Sequence, residues 1–489
     1  MEIMKNGVIH SRVGGYKTRI LLINPRLNSW TPNAYVPLGL ASIASSLIEV
    51  GHDVSIIDLN VQKLSRKAWD HIIASYNVIG IGGMITEYQT VVSLVHNIRE
   101  INNKVTIILG GTLASTYPTE LIKDSGANYI VIDEGEETIV KLLLAILPEG
   151  NVESIRGIAY IKNGKVIVNQ SAEIIENLDK LPYPARYLLR MEDYIRDYMS
   201  SWGIRVKGFG KLRGTHIVTS RGCSYQCTFC SKVIWGSKWR ARNARDIMGE
   251  IEDLNGRYGI NEIIFSDDTF LLDKNRIFEL CDNINKSGLK IVWYCNGRVN
   301  LVDSKLLEAM YSAGCRGIAY GIESGNQSIL DSVRKGTTLE QIEKAVVLTK
   351  KAGINATGYF VIGMLGETKK NIEETFAFAR KLDLDFHGFS IASPLPNTEL
   401  YNQAIKQGLL DIGNKNIGEW SVSTNCNLTL DCSDSELKEY TQKAFIEFYL
   451  KKRFGNRYRL SPSYWYEGVK ALYSALRNGN LRELINKVA

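Results

Sequence analysis

The chain has 489 residues, 45% of them hydrophobic and 23% charged. That is the range of ordinary globular proteins, and it excludes wholesale disorder, collagen and a disulfide-dense miniprotein; at roughly 150 residues per domain the length suggests about three domains. The formal net charge is +7, and most of the excess sits in residues 446–489, which hold nine Lys or Arg against three Asp or Glu, whereas a nucleic-acid-binding surface would spread it more widely.

Residues 1–16 form an N-terminal tail, and residues 17–148 alternate between strand and helix. Short apolar runs at 19–24, 53–58, 78–82, 105–110 and 129–132 are each followed by a helical pattern, at 37–50, 64–75, 88–101, 117–125 and 136–147. Continuous apolar strands between helices imply a parallel sheet covered on both faces. Five such units suit the flavodoxin-like, doubly wound (Rossmann) order, in which ligands bind beyond the C-terminal strand ends, at the switch point between the first and third strands. The loops there are 25–36, 82–87, 110–116 and 133–137. Two begin with paired glycines, Gly82-Gly83 and Gly110-Gly111, which admit a ligand close to the backbone or simply make tight turns. No GxGxxG follows the first strand, which argues against a dinucleotide site. His52 belongs to the turn into the second strand.

Residues 149–213 read as a connector. Two alternating runs, 157–161 and 165–169, flank Asn163-Gly164, a hairpin turn signal, and Leu181-Pro182-Tyr183-Pro184 then breaks regular structure. Residues 214–407 carry six further strand and helix units. Strands are expected at 215–220, 262–266, 291–295, 317–322, 356–362 and 386–391, and helices at 244–258, 274–286, 304–313, 339–352, 370–382 and 399–407. This predicts a partial (β/α)6 barrel of the TIM type, with its chemistry at the C-terminal strand ends. Residues 408–489 form a small, mainly helical C-terminal region.

No stretch approaches the ~18 uninterrupted apolar residues of a membrane span. The best candidate, 138–147, is broken by Lys141, and the run 20–23 is too short for a signal-peptide core. A cytoplasmic location is expected.

Three of the eight cysteines, Cys223, Cys227 and Cys230, fall within one short stretch directly after the first barrel strand. Chance would produce such a CxxxCxxC about 0.002 times in a chain of this composition. Three thiolates on a short loop can ligate three irons of a cubane cluster and leave the fourth iron open. Zinc held by three cysteines and His216 is the structural alternative, although His216 lies inside the preceding strand. Cys281 and Cys315 suit inert core positions, as does Cys295. Cys426 and Cys432 are too few for a second cluster.

Arg221-Gly222-Cys223-Ser224-Tyr225-Gln226-Cys227-Thr228-Phe229-Cys230 resembles the cluster loop of the radical S-adenosylmethionine (SAM) superfamily. The resemblance extends to Ser266-Asp267-Asp268-Thr269-Phe270, Cys295-Asn296-Gly297-Arg298, Gly321-Ile322-Glu323-Ser324-Gly325 and 358–368, all at C-terminal strand ends. It implies a [4Fe–4S] cluster on Cys223, Cys227 and Cys230 whose open iron chelates SAM and cleaves it to a 5′-deoxyadenosyl radical. It also implies SAM contacts from Phe229, Asp268, Arg298, Glu323, Ser324 and Gly363. Glu323 and Asp268 would accept hydrogen bonds from the ribose or amino group, and Arg298 would pair with the carboxylate.

A doubly wound domain ahead of such a barrel is similar to the cobalamin-binding branch of that superfamily, over about residues 17–401. Shared marks are Val36-Pro37-Leu38-Gly39-Leu40, Gly110-Gly111-Thr112 and Asp133-Glu134-Gly135-Glu136. The resemblance implies cobalamin contacts from Pro25, Gly82, Gly83, Thr86, Gly110, Gly111, Thr112, Glu134 and Gly135. No DxHxxG is present, so no protein imidazole is expected on cobalt. The implied activity is C–C bond formation at an unactivated carbon, by methyl transfer, or by ring closure or coupling on an isoprenoid lipid or similar hydrophobic substrate. A ferredoxin or flavodoxin would supply electrons. A cobalamin carrier would lack the cysteine triad. A tRNA-modifying relative would carry a second cysteine set near the N-terminus, where the first 222 residues contain no cysteine.

The basic tail also holds Phe448, Tyr449, Phe454, Tyr458, Tyr464, Trp465, Tyr466 and Tyr473. Such a mixture suits peripheral contact with an anionic membrane surface, or a helical cap that packs its aromatics against the barrel.

Overall fold

The computed structural model describes residues 17–27, 35–146, 150–198, 210–410 and 426–451. The first sheet is built from β1 (Arg19–Asn24), β2 (Asp53–Asp58), β3 (Val78–Gly82), β4 (Thr106–Gly110) and β5 (Tyr129–Val131). They pair in parallel in the order β2-β1-β3-β4-β5, the flavodoxin-like arrangement. Its helices are α1 (Leu38–Glu49), α2 (Arg66–Ala74), α3 (Tyr88–Ile101), α4 (Gly111–Thr116), α5 (Pro118–Ser125) and α6 (Gly135–Ala145). The central strands bury Ile20–Ile23, Ile79, Ile107 and Leu109 almost completely. That is why they read as unbroken apolar runs rather than alternating ones. The short helix α4 occupies what the sequence presented as a loop.

The hairpin β6 (Ile158–Lys162) and β7 (Lys165–Val168) pairs antiparallel with β5 and extends this sheet to seven strands. Its turn residues Asn163 and Gly164 both have positive φ, 51° and 74°, as a type I′ turn requires.

The second sheet holds β8 (Gly214–Ile217), β11 (Glu262–Phe265), β12 (Val292–Gly297), β13 (Cys315–Glu323), β14 (Asn355–Ile362) and β15 (Phe386–Ile391). They pair in parallel in chain order with β8 and β15 at the edges, a partial barrel of six strands. A separate two-stranded tie joins β9 (Ser220–Arg221) to β10 (Arg240–Ala241). Around the barrel run α7 (Ala244–Tyr258), α8 (Lys274–Ser287), α9 (Ser304–Ser312), α10 (Gln327–Ser332), α11 (Leu339–Lys351), α12 (Lys369–Lys381) and α13 (Glu399–Lys406). Most have Asn, Asp or Thr N-caps whose side chains accept a backbone N–H in the first turn. Cys281, Cys295 and Cys315 are buried in the barrel core, and burial pushes the Cys281 thiol up to about 12.

After α14 (Asp434–Ala444), Phe448 stacks on His387 and Phe389 at centroid distances of 4.6 and 5.3 Å. At this point the chain packs against the last barrel strand. Residues 452–489, with most of the basic and aromatic tail, lie outside the described residues. No helix among the described residues is long and apolar enough to cross a membrane.

Candidate active site

The cysteine loop hangs from β8 and is fixed at both ends. Asp267, fully buried at the end of β11, accepts the Thr219 N–H at 2.6 Å and the hydroxyls of Thr219 and Ser220 at 2.5 and 2.7 Å. Arg276 supplies its counter-charge at 3.8 Å. The β9–β10 tie then closes the loop. Gly222 has φ +80°, and a Cβ there would lie 2.4 Å from the Lys238 carbonyl oxygen, so no other residue fits. Within the loop the Thr228 N–H donates to the Val333 carbonyl, and the Thr228 carbonyl accepts from Leu400. Phe229 packs on the apolar cluster that contains Met364 and Leu400.

Donors are aimed at the sulfurs. The Thr269 hydroxyl donates to Cys223 Sγ at 3.1 Å, and Arg298 Nη1 approaches Cys227 Sγ at 3.8 Å. Cys230 is accessible at the loop edge, yet desolvation by the surrounding loop, with Cys227, Asp268 and Cys223 adding like charge, pushes its thiol up to about 11. Thiolate becomes the resting form in such a place when a metal replaces the proton. Among the described residues, no three His, Cys, Asp or Glu side chains converge as ligands of a single ion. A cubane demands less, since each thiolate binds a different iron. His216 remains inside β8, edge-on to Tyr35 at 5.8 Å.

Arg298, at the end of β12, lies 3.5 Å above the Tyr225 ring and also donates to the Lys335 carbonyl. Its Nε is buried without a partner, an open donor on a charged group beside the cysteines. Glu323 ends β13 at φ +68°, after a register shift against β14, and its carboxylate pairs with Lys335 at 2.8 Å. Gly321 leaves room for that pair: a Cβ would stand 2.4 Å from Glu323 Oε1. Ser324 is different, because its hydroxyl is bonded to the Thr375 hydroxyl and the Asn326 N–H and so serves the fold. Gly363 donates its N–H to Glu367 at 2.6 Å, and Asp268 is exposed.

At the C-terminal end of the first sheet lies a mostly apolar cavity of about 480 Å³. Of the nine residues expected there, Pro25, Gly82, Gly83, Gly110, Gly111, Thr112, Glu134 and Gly135 line it. Thr86 does not; its hydroxyl donates to Glu87. The two glycine pairs interlock through the Gly83 N–H and the Gly110 carbonyl at 3.1 Å, and nothing stands within 4 Å of a Cβ built on Gly110. No histidine among the described residues lines the cavity. Its far wall comes from the connector, Leu181 to Pro184, and from the barrel, including Val218, Arg221, Trp235 and Arg242.

Residues 217–379 match the radical SAM superfamily and residues 31–143 match the B12 binding domain. An uncharacterized methyltransferase of Pyrococcus horikoshii is 33% identical over 424 residues, 85% of this chain and 88% of that protein. The chain belongs to the cobalamin-dependent radical SAM superfamily. An anaerobic magnesium-protoporphyrin IX monomethyl ester cyclase of Rubrivivax gelatinosus is 28% identical over 399 residues, 79% of this chain and 70% of that protein. The fold is shared with the radical SAM methyltransferase TsrM of Kitasatospora setae, solved with cobalamin and a [4Fe–4S] cluster. Here the TM-score is 0.65 at 20% identity, covering 80% of this chain and 75% of that one.

This cobalamin-dependent radical SAM enzyme therefore uses a [4Fe–4S] cluster, SAM and cobalamin. Sequence reasoning missed Lys335, which belongs to no motif and is brought to Glu323 by the fold. Asp267 and Thr269 stand in a motif the sequence presented, but their roles beneath the cysteine loop come from contacts with residues distant in sequence.

Proposed function

We propose that this methyltransferase-family enzyme forms a C–C bond by transferring a methyl group to an unactivated carbon of a small molecule. One observation carries the reading: the cavity that suits cobalamin shares a wall with the cysteine loop, through Arg221 and Trp235. When bound, the cofactors supply an adenosyl radical and a methyl group, and the protein orients them and excludes water.

Cys223, Cys227 and Cys230 hold the cluster, with Thr269 donating to one sulfur. Arg298, stacked over Tyr225, pairs with the SAM carboxylate through its free donor. Glu323, paired with Lys335, accepts from the ribose or amino group, and Gly363 lets the adenine lie against the backbone. The glycine pairs and Pro25 would cradle cobalamin, in a cavity that no histidine among the described residues lines. Mass spectrometry after incubation with methyl-deuterated SAM and fractionated small-molecule extracts tests the reading: label must enter a product carbon. Ring closure without net methylation is the second reading, favoured by the similarity to the protoporphyrin ester cyclase. It predicts an unlabelled product that has lost hydrogen.

A further inference from the structure

Four charged side chains join the two cofactor-binding domains in a buried quartet. Arg221 Nη1 reaches Glu134 at 3.0 Å, and its Nη2 reaches Glu136 at 2.5 Å. Arg240 grips both oxygens of Glu134, at 2.9 and 2.7 Å. The side chains are 2–11% exposed. Glu134 also accepts the Ile175 N–H at 2.8 Å, so its carboxylate is saturated by protein groups and has little left for cobalamin.

The placement of these residues is specific. Arg221 stands immediately before Gly222-Cys223, and Arg240 sits on the opposite strand of the tie that closes the cysteine loop. Arg240 also donates to the Trp235 carbonyl within that loop. On the other side, Glu134 and Glu136 flank Gly135, which lines the cobalamin cavity at the start of α6. Carboxylates are favoured there by the helix N-terminus. Two positive and two negative groups balance, which makes the burial tolerable. Forked arginine contacts fix angle as well as distance.

We infer that Arg221, Arg240, Glu134 and Glu136 are positioning residues that set the gap between the cobalamin cavity and the cluster loop. A gap held this way decides whether a group bound in one domain can be delivered to a carbon activated in the other. A displacement of about 1 Å in such an arrangement can cost on the order of 10²-fold in rate. The inference rests on the two cofactors and not on which reaction follows, so failure of the methylation reading leaves it standing.

The test uses the full chain, reconstituted anaerobically with iron, sulfide and cob(II)alamin, and then reduced. Pulsed EPR reads the dipolar distance between Co(II) and the reduced cluster. Glu136→Gln should broaden that distribution, with iron and cobalamin occupancy at wild-type levels. Asp385→Asn, which breaks an ion pair with Lys350 away from the site, should leave it unchanged. A wild-type width in Glu136→Gln overturns the inference. So does selective loss of cobalamin with the cluster and melting behaviour intact, which would make Glu136 a cobalamin contact instead. Should the glutamine variant fail to fold, Glu136→Asp keeps the charge on a shorter arm. It must then broaden the distribution, and a native width in it overturns the inference equally.

Discussion

Glu323 holds its carboxylate 2.8 Å from the Lys335 ammonium, and both side chains are buried at the mouth of the barrel. Removing one member of such a pair strands the other charge. Lys335→Met should cost about 3–5 kcal/mol of stability, whereas Glu323→Gln combined with Lys335→Met should recover most of it. Denaturant melts of the wild-type chain, both single variants and the double variant check this. An additive double variant would show that the two groups do not interact. SAM affinity should fall in both variants, because position 323 no longer presents an oriented carboxylate.

Arg298 tests SAM recognition separately from the cluster. Arg298→Lys keeps the charge but loses the planar fork and the stacking on Tyr225. A charged hydrogen bond of this kind contributes about 1.5–3 kcal/mol, so SAM should bind roughly 10- to 100-fold more weakly at unchanged iron content. Equilibrium binding by titration calorimetry measures it. Loss of iron together with affinity would make Arg298 a support of the loop instead.

Among the described residues the cavity is lined by glycines, apolar side chains and charged ones such as Arg221 and Arg242, and by no histidine. EPR of the Co(II) state should therefore show no nitrogen superhyperfine splitting from the protein. Splitting that disappears in a histidine variant would contradict this arrangement.

Two buried glutamates give opposite pH dependence. For Glu250 burial works against the charge, but Arg242 and Arg186 outweigh it and hold the carboxyl down to about 2. Its contribution is present above the ordinary value of 4.5 and is lost as pH falls towards 2. For Glu367 burial dominates over the N–H groups of Met364 and Gly363 and lifts the carboxyl to about 7. Its contribution is full below 4.5 and is lost as pH rises through 7. Thermal midpoints from about pH 3 to about pH 8 should show a flatter acid limb in Glu250→Gln and a flatter limb between 4.5 and 7 in Glu367→Gln. Unchanged slopes would refute the assignments.

Much of this was legible in the sequence because it is local. The strands β1, β2, β3 and β15 fall where their apolar runs lie, and the cysteine loop follows the first barrel strand as its spacing implied. The cavity lining was legible at Pro25 and the paired glycines, since strand-end loops of a doubly wound sheet converge. What was not legible depends on contacts across the fold. The motif at residues 133–136 lines the cavity as its resemblance implied, but that Glu134 also pairs with Arg221 and Arg240, about a hundred residues away in the chain, left no local sign. Ser324 sits in a motif shared with SAM-binding chains, but its hydroxyl is claimed by Thr375 from α12. The hairpin 158–168 resembled a linker because alternating strands do not reveal which sheet edge they join; it pairs with β5. Short helices such as α4 and α10 carry too few turns to leave a periodic signal.

The central claim is that radical chemistry runs on the loop from Cys223 to Cys230. The most direct measurement is 5′-deoxyadenosine formed from SAM by the anaerobically reconstituted, reduced protein, read by mass spectrometry beside its iron content. The wild-type chain should bind about four irons and release 5′-deoxyadenosine. The variant with Cys223, Cys227 and Cys230 all changed to Ala should do neither. SAM cleavage that survives in the triple variant would contradict the account.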